Sequence, residues 1–453
     1  MALQDNNVTG IAVITDTNQI PVATPENFVD LYTYAQEKQP ELIPELVYRF
    51  GKGSIVGFMR ATSTGMKKTY QSDYIQHAEA GRLMQAYTGV TISGNDFTFP
   101  SAHGLEVGRV VRFFDADIEY QGYVSAIVNT TVATLLTDTD DAWPAGPVDI
   151  AVDFSSRFKK GSEGFSLGTQ HGVDIYKNYS QIFTHFQDTT NSDLGQRVWV
   201  KTGKGPQWWS YEMARESAKF DNITELTAVF HRRATDASDS AVAGNTQGMY
   251  GVKQIVEDRG NVFNDLITTQ GDLSDMAFRL KQQGDCREIN IWCNHQQMAA
   301  FRLLCAGLNS AFLNGFHYGS FKNSPEMYLN LDFIGCKIDG VQFNFVSWGA
   351  LDDPTLTGVT GSNNGGLSFL GVPCGNTKVT MGGNLKSVSY LEMLFRDTQY
   401  GVRQKQTKFF GMFGTQIKAD KSYVDWWSEG TVLLAAANNF FVGGTYNLDS
   451  GSI

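Results

Sequence analysis

Three groups of residues have types and spacings that could do chemistry. The first lies in "KTGKGPQWW", where Gly203, Lys204 and Gly205 precede a helix-forming run. A phosphate-cradling P-loop needs four residues between its glycines and then Lys-Ser/Thr. That spacing fails, and the stretch reads as a hinge ahead of a helix. The second group is Cys293 and His295, followed by Cys305. A structural zinc site takes four Cys or His ligands, usually in two close pairs. Here Cys305 falls on the apolar side of a helix with Met298 and Phe301, where free Cys behaves as a small hydrophobe. The third group is acidic: Asp138, Asp140 and Asp141 in "TDTDDAW", and Asp352 and Asp353 in "LDDPT". General acid–base work needs an apolar pocket that shifts carboxyl pKa values. These acids sit in polar loops beside proline and read as solvated. The seven histidines are scattered, without a local Ser or Cys partner. Asn-x-Ser/Thr sites at Asn7, Asn129, Asn178 and Asn222 matter only on a secretory route. No catalytic group, cofactor motif or metal centre is expected.

The elements that would position these residues can be read from pattern. "TPENFVDLYTYAQEKQPELI" predicts a helix capped by Thr24, with Pro25 in its first turn, running to about Lys38 before Pro40. Residues 90–153 alternate in short strands with turn signals at Gly94-Asn95, His103-Gly104, Glu119-Tyr120 and Asn129-Thr130. That spacing predicts a small β-barrel or sandwich, closed by "TDTDDAWPAGP". "IYKNYSQIF" at 175–183 reads as one strand with Ile175, Tyr179 and Phe183 as its bulky positions. A long helix follows from Gln207 to Arg233, with Trp209, Met213, Phe220, Ile223, Leu226 and Phe230 on one face. Arg232 and Arg233 would suit its C-terminal dipole. Further on, a helix ends at Gly284, and "REINIWC" is a strand with Ile289, Ile291 and Cys293 on one side. A helix is then capped by Asn294 and ended by Gly307. "DDPTLTGVTGSNNGG" is expected to be a long exposed loop.

Composition bounds the answer. The chain has 453 residues, 42% of them hydrophobic and 12% aromatic. That suffices for two or three domains with a real core. The 46 glycines point to many turns. A net charge of −11 argues against a chain whose main work is gripping nucleic acid. Five irregularly spaced cysteines read as free thiols. The first residues lack a signal-peptide pattern, and the Met1 start is read as a chain with no scaffold segment cut from its front. No apolar run of about 18 residues exists to span a membrane.

A long amphipathic rod, extended arms and large polar loops bury little against their own chain, which points to self-assembly. The order of parts resembles the major capsid proteins of tailed bacteriophages, with the Hong Kong 97-type fold. The sharpest match is "NYSQIF", Asn178 to Phe183. In one branch of that family such a strand stands between an extended loop, the E-loop, and the spine helix, and a small β-domain is inserted in the E-loop.

The resemblance implies an α+β fold. Its parts would be an N-terminal arm at 1–50 and an E-loop at 51–170, with the inserted β-domain at about 90–153. A peripheral domain with the spine helix follows at 171–248, an axial domain at 249–375, and returning peripheral strands at 376–453. It implies a structural shell subunit without enzymatic turnover or cofactor, forming hexamers and pentamers of an icosahedral head around double-stranded DNA. Portal, scaffolding and decoration proteins are candidate partners; DNA would lie nearby without tight binding, and no membrane is involved. The place would be the virion capsid, after assembly in the host bacterial cytoplasm.

Intersubunit contact candidates are Arg60, Lys67, Lys68, Tyr70, Tyr74, Asn178, Tyr179, Gln181, Phe183, Asp352, Asp353, Asn363 and Asn364. Lys67, Lys68, Lys159 and Lys160 lie where some family members form a Lys–Asn cross-link, although cementing by the inserted β-domain is the expected device. Two rivals remain: a tail or carbohydrate-binding component, favoured by a Trp- and Tyr-lined groove on 90–153, and a hydrolase using Asp138 to Asp141.

Overall fold

A computed structural model describes residues 3–5, 8–10, 58, 69–82, 84–115, 118–138, 142–162, 173–194, 208–244, 246–284, 286–313, 335–357, 367–381, 384–415 and 417–444. The expected helix at 24–38 and the Gly203–Gly205 stretch lie outside the described residues, as do Arg60, Lys67, Lys68, Asn363 and Asn364. The chain forms two compact units. One is His77–Tyr176 and the other comprises Met1–Gln76 with Lys177–Ile453. The architecture is mixed α+β.

Near the N-terminus, β1 (Leu3–Asp5) and β2 (Val8–Gly10) pair with each other. Strand β3 is Thr69–Tyr70, and β4 (Tyr74–Ala80) leads out of the larger unit. The smaller unit is then built on β5 (Ala86–Ser93), β6 (Asp96–Thr98), β7 (Arg109–Asp115), β8 (Ile118–Ile127), β9 (Val132–Thr137) and β10 (Val148–Ser156). These close into a barrel in the order β10-β5-β6-β9-β8-β7. Closure leaves no free strand edge. Alternate residues point inward, and Val90, Phe97, Phe99, Val111, Phe113, Val124, Leu135 and Ile150 fill the interior. Gly94 and Gly104 have φ of +63° and +59°, the left-handed backbone their turns require. Glu119 and Tyr120 are not a turn. They lie in β8 opposite Phe114 and Phe113, in a register that pairs Asp115 with Ile118. Pro147 does not close the domain either, since β10 follows it.

The chain returns through β11 (Val173–Tyr179), which pairs with β4, and continues as β12 (Gln181–Thr190). Helix α1 spans Trp208–Phe230 and α2 spans Val252–Arg259. Next come β13 (Asn261–Phe263), α3 (Gln270–Gln283), β14 (Glu288–Cys293), α4 (His295–Leu313), β15 (Gly335–Ile338), β16 (Val341–Ser347) and β17 (Leu367–Pro373). A two-stranded ribbon, β18 (Asn376–Met381) with β19 (Asn384–Ser389), precedes β20 (Leu391–Thr398), β21 (Gly401–Val402) and β22 (Gln406–Phe410). The last strands are β23 (Lys421–Leu434) and β24 (Phe441–Gly444).

Two six-stranded sheets organise this unit. One runs β12-β23-β20-β21, with β22 also on β23 and β3 parallel to β20. The other is mixed, in the order β13-β24-β17-β14-β16-β15. Ile289, Ile291 and Cys293 of β14 share a core with Leu273, Met276 and Leu280 of α3 and with Met298 and Phe301 of α4. Asn294 caps α4 by accepting the Gln297 N–H at 2.9 Å. Gly284 follows α3 as expected, its N–H bonded to the Leu280 carbonyl at 2.8 Å. Gly307 does not end α4, which runs on to Leu313. A mid-helix glycine costs only about 1 kcal/mol.

Helix α1 buries Phe220, Glu225, Ala228 and Val229, while Ile223 is exposed. The buried stripe is thus rotated from the expected one, and it contains a carboxylate. In β11, Ile175 is exposed and Asn178 is buried, the reverse of the order that apolarity suggests. Asp352 and Asp353 do not open a loop. They sit between a 3-10 turn, Gly349–Leu351, and a helical turn, Pro354–Thr357. There Asp352 accepts the His295 N–H at 2.8 Å and Asp353 accepts the Thr355 N–H at 2.9 Å.

Candidate functional site

The stretch Asn178–Phe183 is two strand ends joined at Ser180. Asn178 is the penultimate residue of β11 and is only 6% exposed. Its amide donates to the Tyr250 and Val432 carbonyls, at 3.0 and 2.7 Å. Its Oδ1 accepts the N–H of Tyr250 at 2.9 Å and that of Tyr179 at 2.8 Å. Both donors and both acceptor positions of the amide are used. A buried apolar residue could not replace it without stranding backbone groups.

Ser180 turns the chain. Its N–H donates to the Asp73 carbonyl at 2.9 Å, and its Oγ donates to Glu429 Oε1 at 2.9 Å. With that proton spent, Tyr70 OH donates to Ser180 Oγ at 2.7 Å. Burial pushes the Tyr70 phenol up to about 12. Gln181 opens β12, and its Oε1 accepts the Met249 N–H at 3.1 Å. Neighbouring Gly248 has φ of +78°, and a Cβ there would lie 2.4 Å from His231 Cε1, so only glycine fits.

Arg233 lies past the end of α1 and does not cap it. Its guanidinium sits 3.6 Å from the Tyr179 ring centroid and donates to the Gly248 carbonyl and to Gln247 Oε1. Its own N–H donates to Gln254 Oε1 at 2.8 Å. This one side chain therefore ties the root of β12 to the segment leading into α2.

Glu429, on β23, is the centre of the network and is 2% exposed. Arg396 meets its Oε1 at 2.7 Å and Arg403 meets its Oε2, while Arg396 also reaches Asp73 at 2.8 Å. Two guanidinium groups and a hydroxyl fill the lone pairs that a general base would need free. The arrangement fixes position: it joins β3, the β11–β12 junction, β20 and β23 at one point. None of Glu429, Arg396, Arg403 or Arg233 was singled out from sequence as part of this site. The available signal was a lone glutamate inside the apolar strand "YVDWWSEGTVLL", since buried acids are rarely left unpaired.

The remaining candidates divide. Phe183 is buried in the core with Phe220, Val424 and Trp426. Tyr74 is 43% exposed, its ring 6.3 Å from that of Tyr179 and under the Lys177 ammonium at 5.7 Å. Asp138 pairs with Arg157 at 2.6 Å, while Asp140 and Asp141 lie outside the described residues. The barrel's Tyr87, Tyr120 and Trp143 pack onto its core instead of lining a groove. Burial raises the Cys293 and Cys374 thiols to about 12 and that of Cys336 to about 11. Among the described residues, no three His, Cys, Asp or Glu side chains gather as a metal site, and no helix is long and apolar enough to cross a membrane.

No family model matches the chain, and no curated relative matches it. Among solved structures, it is similar to that of Microbacterium phage Oxtober96, at 10% identity over 92% of this chain and 99% of that one, with a TM-score of 0.40. It is similar to the capsid of Myoviridae phage XM1, at 10% identity over 89% and 95%, with a TM-score of 0.38. It is similar also to the mature capsid of bacteriophage PhiM1, at 9% identity over 65% and 80%, with a TM-score of 0.33. The solved structures it is similar to include phage capsids.

Proposed function

We propose that this chain is a structural shell subunit of an icosahedral phage head, built from hexamers and pentamers around double-stranded DNA. The observation that carries this reading is the root at Asn178–Gln181. There the strand returning from an inserted barrel is locked into the body by buried polar bonds, shortly before a 23-residue helix. The helix would be about 35 Å long at about 1.5 Å per residue. An arm that must take load from a neighbour needs such a fixed root, whereas a binding loop or lid needs a hinge.

On this reading residues 1–50 are the N-terminal arm, and 51–170 are the E-loop with its inserted barrel. The peripheral domain is 171–248 with 376–453, and 249–375 is the axial domain. Asn178, Phe183 and Tyr70 support the interface from inside their own chain, and Tyr74, Asp352 and Asp353 are the described candidates that meet a neighbour. The subunit turns over no substrate and takes no cofactor. Portal, scaffolding and decoration proteins are its further partners, and host cytoplasm its place of assembly. Like charge keeps an acidic shell from adhering to DNA phosphates.

Negative-stain microscopy of the purified chain, alone and co-expressed with its neighbouring phage proteins, tests the proposal. Closed shells, tubes or six-fold rings are expected. A monomer under every condition would sink it.

A further inference from the structure

A cleft of about 740 Å³ opens at the edge of the sheet that holds the Glu429 network. One wall is the tip of the β20–β21 hairpin, with Thr398, Gln399 and Tyr400. The other is β22, with Thr407 and Lys408, and Arg403 completes the lining. Consecutive residues line each wall. Successive side chains of a strand point to opposite faces, so the cleft runs along strand edges and not across a sheet face. The hairpin wall is braced from within: Thr398 Oγ1 donates to the Gly401 carbonyl at 2.9 Å and accepts the Tyr400 N–H at 3.4 Å. The Tyr400 ring is left 87% exposed at the rim.

The β22 wall offers backbone. Strand β23 pairs with one side of β22. On the other side the Phe409 carbonyl accepts the Thr415 N–H at 3.2 Å, and the Gly411 N–H donates to the Thr415 carbonyl at 2.8 Å. Backbone groups alternate sides along a strand, so the N–H and C=O of Thr407 point the same way as those of Phe409, away from β23. Neither has a partner among the described residues. Because Thr415 covers the edge at Phe409, an added strand could pair only over Gln406 to Lys408.

The charged lining is cationic. Arg403 bonds Glu429 through one terminal nitrogen, and a guanidinium has further N–H donors to give. Lys408 makes no ion pair among the described residues. Asp425, opposite it on β23, accepts a hydrogen bond from Trp427. Among the described residues no carboxylate lines the cleft.

We propose that this cleft receives a short extended segment of another protein by strand addition at Thr407, with an Asp or Glu of that segment held by Arg403 and Lys408. The Thr407 backbone pairs with the segment's own N–H and C=O. The cations make charge-assisted bonds to its carboxylate, and the Tyr400 ring covers its flank. A stable contact between two folded copies needs about 20–30 residues a side. This edge offers only Gln406 to Lys408, so its occupant is a peptide segment and not a second copy. The inference does not rest on the shell reading.

The test uses the full-length chain and a fluorescein-labelled probe, acetyl-Thr-Val-Glu-Val-Thr amide, read by fluorescence anisotropy. Saturable binding is expected, and about tenfold weaker binding when lysine replaces the probe's glutamate. Lys408→Glu should abolish that preference. Thr407→Pro, which removes the edge N–H, should weaken binding about tenfold. A probe N-methylated beside its glutamate should lose about as much, and it leaves the protein unchanged if Thr407→Pro does not fold. No binding by the unsubstituted chain would overturn the proposal. So would equal binding of the glutamate and lysine probes, or of the methylated and unmethylated ones. Self-association of the chain that the probe displaces in sedimentation velocity would also overturn it, by making a second copy the occupant.

Discussion

The inserted barrel and the Glu429 network are two ways to fix a backbone. The barrel fixes itself with an apolar core and a closed ring of strands. It also carries most of the chain's net charge: between His77 and Tyr176 thirteen Asp and Glu face six Lys and Arg, leaving seven of the eleven net negative charges in that unit. Among the described residues, Asp115, Glu119, Arg157, Lys159 and Asp174 are exposed. Arg112 pairs with Glu119 at 2.8 Å, with both side chains more than a third exposed. The body does the opposite at the root of β12. It buries a carboxylate and an asparagine, half-buries a serine, and satisfies them across long stretches of chain. An apolar core is tolerant, because many residue combinations fill a volume. A buried polar network is exacting, because every removed partner strands another. The barrel is therefore the part that can vary, and the root is the part that sets register.

Four experiments would break or sharpen that contrast. The largest effect is expected from Phe97→Ala, which empties the barrel centre and should cost about 4 kcal/mol. Hydrogen exchange should rise throughout the barrel and stay unchanged at 421–434. Opening of both regions together would make them one cooperative unit and end the contrast. Next, Glu429→Ala leaves two guanidinium groups without their shared carboxylate and should cost about 3 kcal/mol. Denaturant unfolding of the larger unit measures this, and a loss below about 1 kcal/mol would mean water readily replaces the carboxylate.

The two regions should also fail at opposite ends of the pH scale. His103 in the barrel is 3% exposed, and burial lowers its pKa below the usual value. Its Nδ1 accepts the Leu105 N–H at 2.9 Å, so the proton sits on Nε2, facing the Asn129 carbonyl at 3.1 Å. A depressed histidine contributes stability that is present above its unfolded pKa of about 6.5 and lost as pH falls through the folded value. Tyr70 is raised to about 12. Its contribution is full below an unfolded pKa of about 10 and lost as pH rises through the folded value. Exchange in the barrel should thus accelerate from pH 7 toward 5. Stability at the root should fall between about 10 and 12, a slope that Tyr70→Phe flattens. An unchanged alkaline slope in Tyr70→Phe would remove Tyr70 from the network. The smallest effect belongs to Arg112→Ala, whose exposed pair should be worth under about 1 kcal/mol. A loss like that of Glu429→Ala would show that the barrel surface also sets structure.

Part of this was legible in the chain. Ile289, Ile291 and Cys293 alternate and share one buried face of β14. Asn294 and Gly284 mark helix ends through bonds made within a few residues. Gly94 and Gly104 mark barrel turns because few other residues take a left-handed backbone. "NYSQIF" drew attention to the right six residues. What they do was not legible. Ser180 and Glu429 are 249 residues apart, and Asn178 and Val432 are 254 apart. Ile175 turned out exposed and Ile223 half outside for the same reason: apolarity states a preference, but neighbours decide which face is covered.

By itself, then, the sequence determined the elements whose signals are local: alternating strands, capped helices, glycine turns, and a net acidity that opposes tight binding of phosphates. Only the tertiary structure decided that the short strands close into a barrel, that Glu225 and Glu429 are buried, and that the arginines Arg233, Arg396 and Arg403 hold the junction of β11 and β12. The physical reason is range. Backbone propensities and caps act over one turn of helix or one hairpin. A buried ion pair is stable only when its distant partner and the surrounding desolvation arrive together, which no local stretch of sequence can state.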